Sequence, residues 1–412
     1  MSIFAAAAAL ITLTAVLAYL NERLLKLPAP IGVMLGALIA SLASVAIAAG
    51  GLDLGSARLL ETFTLNDLLM KGMLSFLLFA GALHVDLADL NAQRWPILTL
   101  ATVGVVLSTF FVAVLTWSGA RLVGFGLPFG AALVFGALIS PTDPIAVIAI
   151  LRDARVPKGV ETLITGESLF NDGVGVVVFT IVLGTIHGAA AGTGTAVTVV
   201  ELFLGEAVGG IAFGLLLGLV AYRMLKSVDN YTVEVLITLA VVTGGYSLAQ
   251  ELHTSGPIAM VVAGLLVGNQ GRAFAMSERT REHLDTFWEM TDEILNAVLF
   301  VLIGLEFLVI RFEPANLLAA LAAIPLVLAA RFGSVGLPVA AMRLVRRFPP
   351  YTVRTMTWGA LRGGISVALA LSLPAAAWRD GVVGLTYGVV VFSILVQGLT
   401  VGRVAARMRR TA

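Results

Sequence analysis

Glu167, Ser168, Asn171 and Asp172 fall within six consecutive positions inside a long apolar run. On a helix advancing about 100° per residue, these four side chains share roughly 140° of one face. A charge at mid-bilayer costs from about 3 to more than 10 kcal/mol. Keeping a helix in lipid requires no such expense, so the face reads as the binding surface for a transported species. Desolvation favours the protonated form of a carboxylate and a bound cation the ionised form, so proton and cation would compete for Asp172. Asn171 is neutral and has two readings, a ligand or a helix–helix hydrogen bond.

A second stretch, Pro141-Thr142-Asp143-Pro144, interrupts another apolar run. Each proline removes a backbone donor and disfavours helix in the residue before it. The segment between them should be extended, with carbonyls and amides free to meet an ion or a half-helix end. A simple kink with Asp143 as a local cap is the duller alternative. Arg331 and Arg362 lie inside spans and need partners; Glu167 suits a salt bridge to one of them better than Asp172 does. Against Asp143, Glu167 and Asp172, the two arginines leave one excess negative charge, which suits a single monovalent cation or proton. Arg362-Gly363-Gly364 also places a positive charge where a half-helix C-terminus would favour it.

Other polar residues carry weaker signals. Asp292, Glu293 and Asn296 sit toward one end of their span, where an interfacial role competes with an entrance funnel. His84 and His253 read as structural or interfacial, and His187 as part of an external loop. Gly205, Gly209 and Gly210 read as helix-packing contacts.

The elements that position these residues follow from composition. The 412-residue chain is 59% hydrophobic and 12% charged, about half the charge of a soluble domain. Long apolar runs throughout imply an all-α polytopic membrane protein rather than a β-barrel of short alternating segments. The absence of cysteine excludes a disulfide framework, a thiolate metal site and thiol catalysis. No cofactor and no nucleic-acid partner is indicated. The first run lacks a basic flank and a clear cleavage site, so it reads as a span.

Thirteen segments emerge: 3–20, 30–50, 70–88, 96–118, 124–151, 160–186, 198–222, 233–250, 256–269, 284–308, 315–342, 353–376 and 382–403. The ninth is short and opens on Ser255-Gly256-Pro257. Alternate loops, with Arg23, Lys26, Arg94, Arg152, Arg155, Lys158, Arg223, Lys226, Arg272, Arg279, Arg281, Arg343, Arg346, Arg347 and Arg354, and then a tail with Arg403, Arg407, Arg409 and Arg410, hold nineteen basic residues. The opposite loops hold four: Arg58, Arg121, Arg311 and Arg379. The positive-inside rule then predicts an external N-terminus and a cytoplasmic C-terminus. Lys71, at a span entrance, can snorkel.

The whole of 1–412 reads as one transmembrane transporter domain ending in a short basic tail at 404–412. With 198–222 as a linker span, spans one to six (3–186) and eight to thirteen (233–403) pair at an offset of seven, which reverses orientation. The fifth and twelfth spans correspond, both interrupted, and that is the pattern of an inverted repeat with a midplane site.

Three motifs carry a resemblance: Ser140-Pro141-Thr142-Asp143-Pro144, Gly166-Glu167-Ser168-Leu169-Phe170-Asn171-Asp172-Gly173 and Trp358-Gly359-Ala360-Leu361-Arg362-Gly363-Gly364. In type, order and spacing they resemble the monovalent cation:proton antiporter superfamily, in its sodium/proton antiporter and exchanger branch. The resemblance implies thirteen spans, two broken crossing helices and a core that moves against a dimerisation domain, in a homodimer within a bacterial-type inner membrane. It implies that Asp172 carries cation and proton in turn, that Thr142 and Ser168 help ligate the ion, and that Asp143 lies at the crossover. It implies a Glu167–Arg331 pair, and through Asn171-Asp172 an electroneutral exchange of Na+ or Li+ for H+ that serves cytoplasmic pH and sodium homeostasis. Some relatives place a carboxylate in the third span; Phe79-Ala80-Gly81-Ala82-Leu83 has none.

Potassium/proton exchange is the alternative within this class. From other classes, Asp143 and Asp172 mimic an intramembrane aspartyl protease dyad, but the Gly-x-Gly-Asp pattern is absent. A cation channel fits poorly with arginine-paired buried carboxylates.

Overall fold

The computed structural model describes residues 3–49, 72–122, 124–143, 147–148, 151, 156–186, 196–306 and 314–409. Pro144, Arg58, Lys71, Arg152, Arg155, His187, Arg311 and Arg410 lie outside these residues.

The described chain is helical. The first elements are α1 (Ile3–Leu20, extended by a π turn, Asn21–Leu25), α2 (Ala29–Ala49), α3 (Leu74–Leu83) and the short surface helix α4 (Leu87–Ala92). Then come α5 (Arg94–Leu122), α6 (Phe129–Ile139), α7 (Lys158–Ile186), α8 (Ala196–Ser227), α9 (Tyr231–Glu251) and α10 (Gly256–Leu266). The last are α11 (Glu278–Glu306), α12 (Pro314–Met342), α13 (Thr352–Trp358), α14 (Gly364–Leu371) and α15 (Arg379–Phe392, continued through a π turn, Ser393–Gln397, into Gly398–Arg409). Eight helices among the described residues are long and apolar enough to cross a membrane, and α3 and α6 are shorter apolar helices.

The short ninth segment is a true helix because its start is well specified. Ser255 Oγ accepts from the Ile258 amide at 3.4 Å, and Pro257 occupies a first-turn position where no amide partner is needed. Its Gly264 and Gly268, four residues apart, let α10 approach the α3 backbone. A Cβ on Gly264 would sit 2.8 Å from Phe79 O, and one on Gly268 would collide with Leu83 O. The chain over 404–412, expected as a basic tail, is helical as far as Arg409. Val401 and Ala405, one turn apart, are buried in a cluster with Met356 and Leu361, and this docks the last helix rather than releasing it.

Around the polar centre, α7 packs on α6, α5 on α6 and α12, α12 on α15, and α11 on α2 and α3. Hydrogen bonds and ion pairs tie the basic loops to one another. Lys158 reaches Asp89 at 2.6 Å, Arg346 donates to Ala92 O at 3.1 Å, the Leu87 amide donates to Asn269 Oδ1 at 2.8 Å, and Ser277 donates to Asp229 at 2.8 Å. These loops therefore occupy one end of the molecule.

Candidate functional site at the crossing of two broken helices

Helix α6 stops at Ile139 because Pro141 cannot continue it. The chain passes through extended Thr142 and Asp143, where Asp143 forms an isolated antiparallel bridge with Leu361. The Asp143 amide donates to Leu361 O at 2.8 Å. Leu361 belongs to the second interruption, between α13 and α14, so the two broken spans meet backbone to backbone.

The crossing settles the half-helix ends. The last carbonyls of a helix lack partners within it and carry the negative end of its dipole. Arg362, 2% exposed, donates through one guanidinium nitrogen to Ser140 O at 2.7 Å and Pro141 O at 2.9 Å. In return, the Asp143 carboxylate lies against Gly363, at the start of α14, where negative charge is favoured. A Cβ on Gly363 would sit 2.5 Å from Asp143 Oδ2, so glycine is needed for this approach. The π turn of α15 turns two more side chains to the break. Ser393 Oγ accepts from the Arg362 amide at 2.9 Å, and Gln397 donates to Trp358 O at 2.9 Å.

Helix α7 supplies the polar face. Thr142 Oγ1 and Ser168 Oγ are 2.9 Å apart. Asn171 donates to Thr142 Oγ1 at 2.8 Å and to Glu167 Oε1 at 3.3 Å, and its oxygen accepts from the Thr142 amide at 3.2 Å. Both ends of the Asn171 amide are thus committed to protein. Anticipated among the ion-binding residues, it is seated as the clamp between α7 and the interruption. Glu167 accepts from Arg331 of α12 in two bonds, 2.7 and 2.6 Å, with both residues at most 3% exposed. This fork geometry is the strong form of an ion pair.

Asp172 differs from its neighbours. It is 8% exposed, and its Oδ1 is buried without a hydrogen-bond partner. Together with Thr142 and Asp143 it lines a cavity of about 610 Å³, whose wall also includes exposed His84 and Glu289 and half-buried Asp285, at the end that carries the basic loops. Ser168, Asn171 and Glu167 stand behind that wall. Thr165 and Ser366 also line the cavity and were not anticipated; Ser366 Oγ is buried and unpartnered. Its position in the first turn after Gly363-Gly364 was the available signal. Asp292, Glu293 and Asn296 line the cavity too, which favours the entrance-funnel reading over the interfacial one.

Interrupted helices crossing in mid-protein, with charges matched to their ends and the buried, unpartnered Asp172 carboxylate oxygen at an open cavity beside them, define an ion-carrying membrane protein. The sodium/hydrogen exchanger transmembrane family profile matches residues 10–407, and the chain belongs to that family. It is 48% identical over 408 residues to the Na(+)/H(+) antiporter NhaP of Pseudomonas aeruginosa, covering 97% of this chain and 96% of that one. Identity to the Na(+)/H(+) antiporter NhaH of Halobacillus dabanensis is 35% over 383 residues, 92% and 91% of the two chains. The fold matches the sodium proton antiporter MjNhaP1 of Methanocaldococcus jannaschii with a TM-score of 0.75 at 19% identity, covering 99% of each chain.

Proposed function

We propose that this protein is a secondary transporter, not an enzyme, exchanging Na+ or Li+ for H+ by alternating access at Asp172. The observation that carries this reading is the unpartnered Asp172 carboxylate oxygen at the wall of a cavity, with the charges of Glu167, Arg331, Asp143 and Arg362 at the crossing each held by a neighbour or set at a helix end. Family membership and the names of the relatives support it. With Glu167 and Arg331 paired, and Asp143 and Arg362 set against opposite half-helix ends, Asp172 is the residual charge. One monovalent cation or one proton neutralises it, which supports one-for-one, electroneutral exchange. Thr142 on the cavity wall adds an oxygen to the cation's shell, Ser168 behind it, 2.9 Å from Thr142 Oγ1, joins the shell as the ion moves inward, and no cofactor takes part. The clustered basic loops support placing the cavity mouth on the cytoplasmic side of a bacterial-type inner membrane, with the N-terminus outside. The resemblance supports a homodimer, inverted repeats and thirteen spans.

The test is exchange in proteoliposomes under an imposed pH gradient, with Na+, Li+ and K+ in turn. Na+- and Li+-driven proton flux that is lost in Asp172→Asn is expected. Retained Na+ exchange by that variant sinks the mechanism, and K+ as the preferred ion changes the substrate.

A further inference from the structure

Helix α11 carries Asp285, Glu289, Asp292, Glu293 and Asn296 within roughly 100° of one face, so they form a single stripe along one wall of the cavity. Exposure along the stripe is uneven. Asp285 is half-buried and already paired with Arg272, Glu289 and Glu293 are exposed, Asp292 is partly buried, and only Asn296, at the inner end, is 2% exposed. Beyond Asn296 the next turn brings Leu299, which lies against Gly364 at the second break, so the stripe ends where the broken helices cross.

Its inner end is built for a ligand. Asp292 Oδ1 and Asn296 Oδ1 are both buried without a hydrogen-bond partner, although both residues line the cavity. The Asn296 amide cannot be turned round to relieve this. Its nitrogen donates to Asp292 O at 2.8 Å, and that carbonyl can only accept, so the oxygen is held as the outward end. Two buried acceptors without a donor cost about 1–3 kcal/mol each, more where one is a carboxylate, unless something electropositive meets them. Asp292 and Asn296 line the same cavity as Asp143 and Asp172, on a helix that carries neither of them. A carboxylate and an amide oxygen are hard ligands suited to a small cation.

We infer that Asp292 and Asn296 form a second cation site, at which a partly dehydrated monovalent ion rests between the cavity mouth and Asp172. This rests on the exchange reading above. An ion that has exchanged some of its water for these two oxygens reaches Asp172 with less dehydration still to complete. The site acts on capture rather than on the carrier step, so its loss raises the Na+ concentration needed without lowering maximal turnover.

The test compares Asp292→Asn, Asn296→Leu and Glu289→Gln in proteoliposomes. Each of the first two should raise the Na+ KM about five- to tenfold with kcat nearly unchanged, the signature of lost uniform binding. Glu289→Gln removes the same charge as Asp292→Asn, at the exposed mouth, and should change KM by less than about twofold. An unchanged KM in both inner variants overturns the proposal. So does an equal effect of Glu289→Gln with Asn296→Leu silent, which would mean diffuse steering by charge. Thallous-ion anomalous scattering from crystals of the unsubstituted protein decides the matter if the variants do not fold. Density within coordination distance of both Oδ1 atoms supports the site, and density at Asp172 alone overturns it. Failure of the unsubstituted protein to exchange Na+ would instead remove the functional reading, and the thallous-ion experiment would still judge the site.

Discussion

Arg331 and Glu167 form a buried two-bond ion pair, 2.7 and 2.6 Å, that links α12 to the polar face of α7. Removing one partner of a buried pair leaves an uncompensated charge, at a cost of about 3–5 kcal/mol. Arg331→Ala should therefore lower the thermal midpoint in detergent markedly. Replacing both residues with apolar ones of similar size should recover much of that loss, and a double variant no more stable than Arg331→Ala would contradict the pairing as the source.

Proton and cation share Asp172 in the proposed cycle, which sets the sign of a pH effect. As pH falls, a larger share of the carboxylate is protonated and withheld from the cation. The apparent Na+ KM should then rise, by up to about tenfold per pH unit once protonation dominates. Initial rates over a grid of Na+ concentration and pH check this; a KM independent of pH would rule out competition at one group.

Asp172→Asn should keep the fold, because no hydrogen bond to its Oδ1 is lost. Ligand that binds only the native state stabilises it by about 2.7 kcal/mol at one hundred times Kd. Added Na+ should raise the thermal midpoint of the unsubstituted protein and leave that of Asp172→Asn much closer to its ion-free value.

Arg362 supplies donors to two carbonyls at the end of α6, and Gly363 makes room for Asp143. Arg362→Ala should abolish exchange and destabilise the protein by about 3 kcal/mol or more. Arg362→Lys should keep part of both, since one ammonium can reach a carbonyl without the guanidinium's geometry. Gly363→Ala should be inactive, because its methyl group would occupy the place of the Asp143 carboxylate. Transport assays and thermal unfolding read both effects.

Asn171→Ala should loosen the interruption. The buried Thr142 amide would lose its acceptor, at about 1–3 kcal/mol. Thermal unfolding would show that loss, and the cation KM should rise as Thr142 loses its position.

Much of this protein follows from local chemistry, which sequence carries directly. Apolar runs mark a membrane protein, helical spacing puts Glu167, Ser168, Asn171 and Asp172 on one face, and Pro141 breaks α6. The alternation of basic loops agrees with the contacts that bring Lys158, Arg346, Asn269 and Ser277 to one end. Partner choice is another matter, since it depends on how helices pack across long separations in the chain. The residues alone left Glu167 open to Arg331 or Arg362; the packing of α12 on the core gives it Arg331, 164 residues away, and sends Arg362 to the carbonyls of the first break. Asn171 is one residue from Asp172 but points to Thr142 and Glu167, so neighbours in sequence have separate tasks. Asp292 and Asn296 stood between an interfacial role and an entrance funnel because periodicity identifies a polar stripe without saying what it faces. Only the assembled helices turn that stripe into a cavity wall beside Asp143 and Asp172, because a wall needs several helices at once and no single segment contains that information.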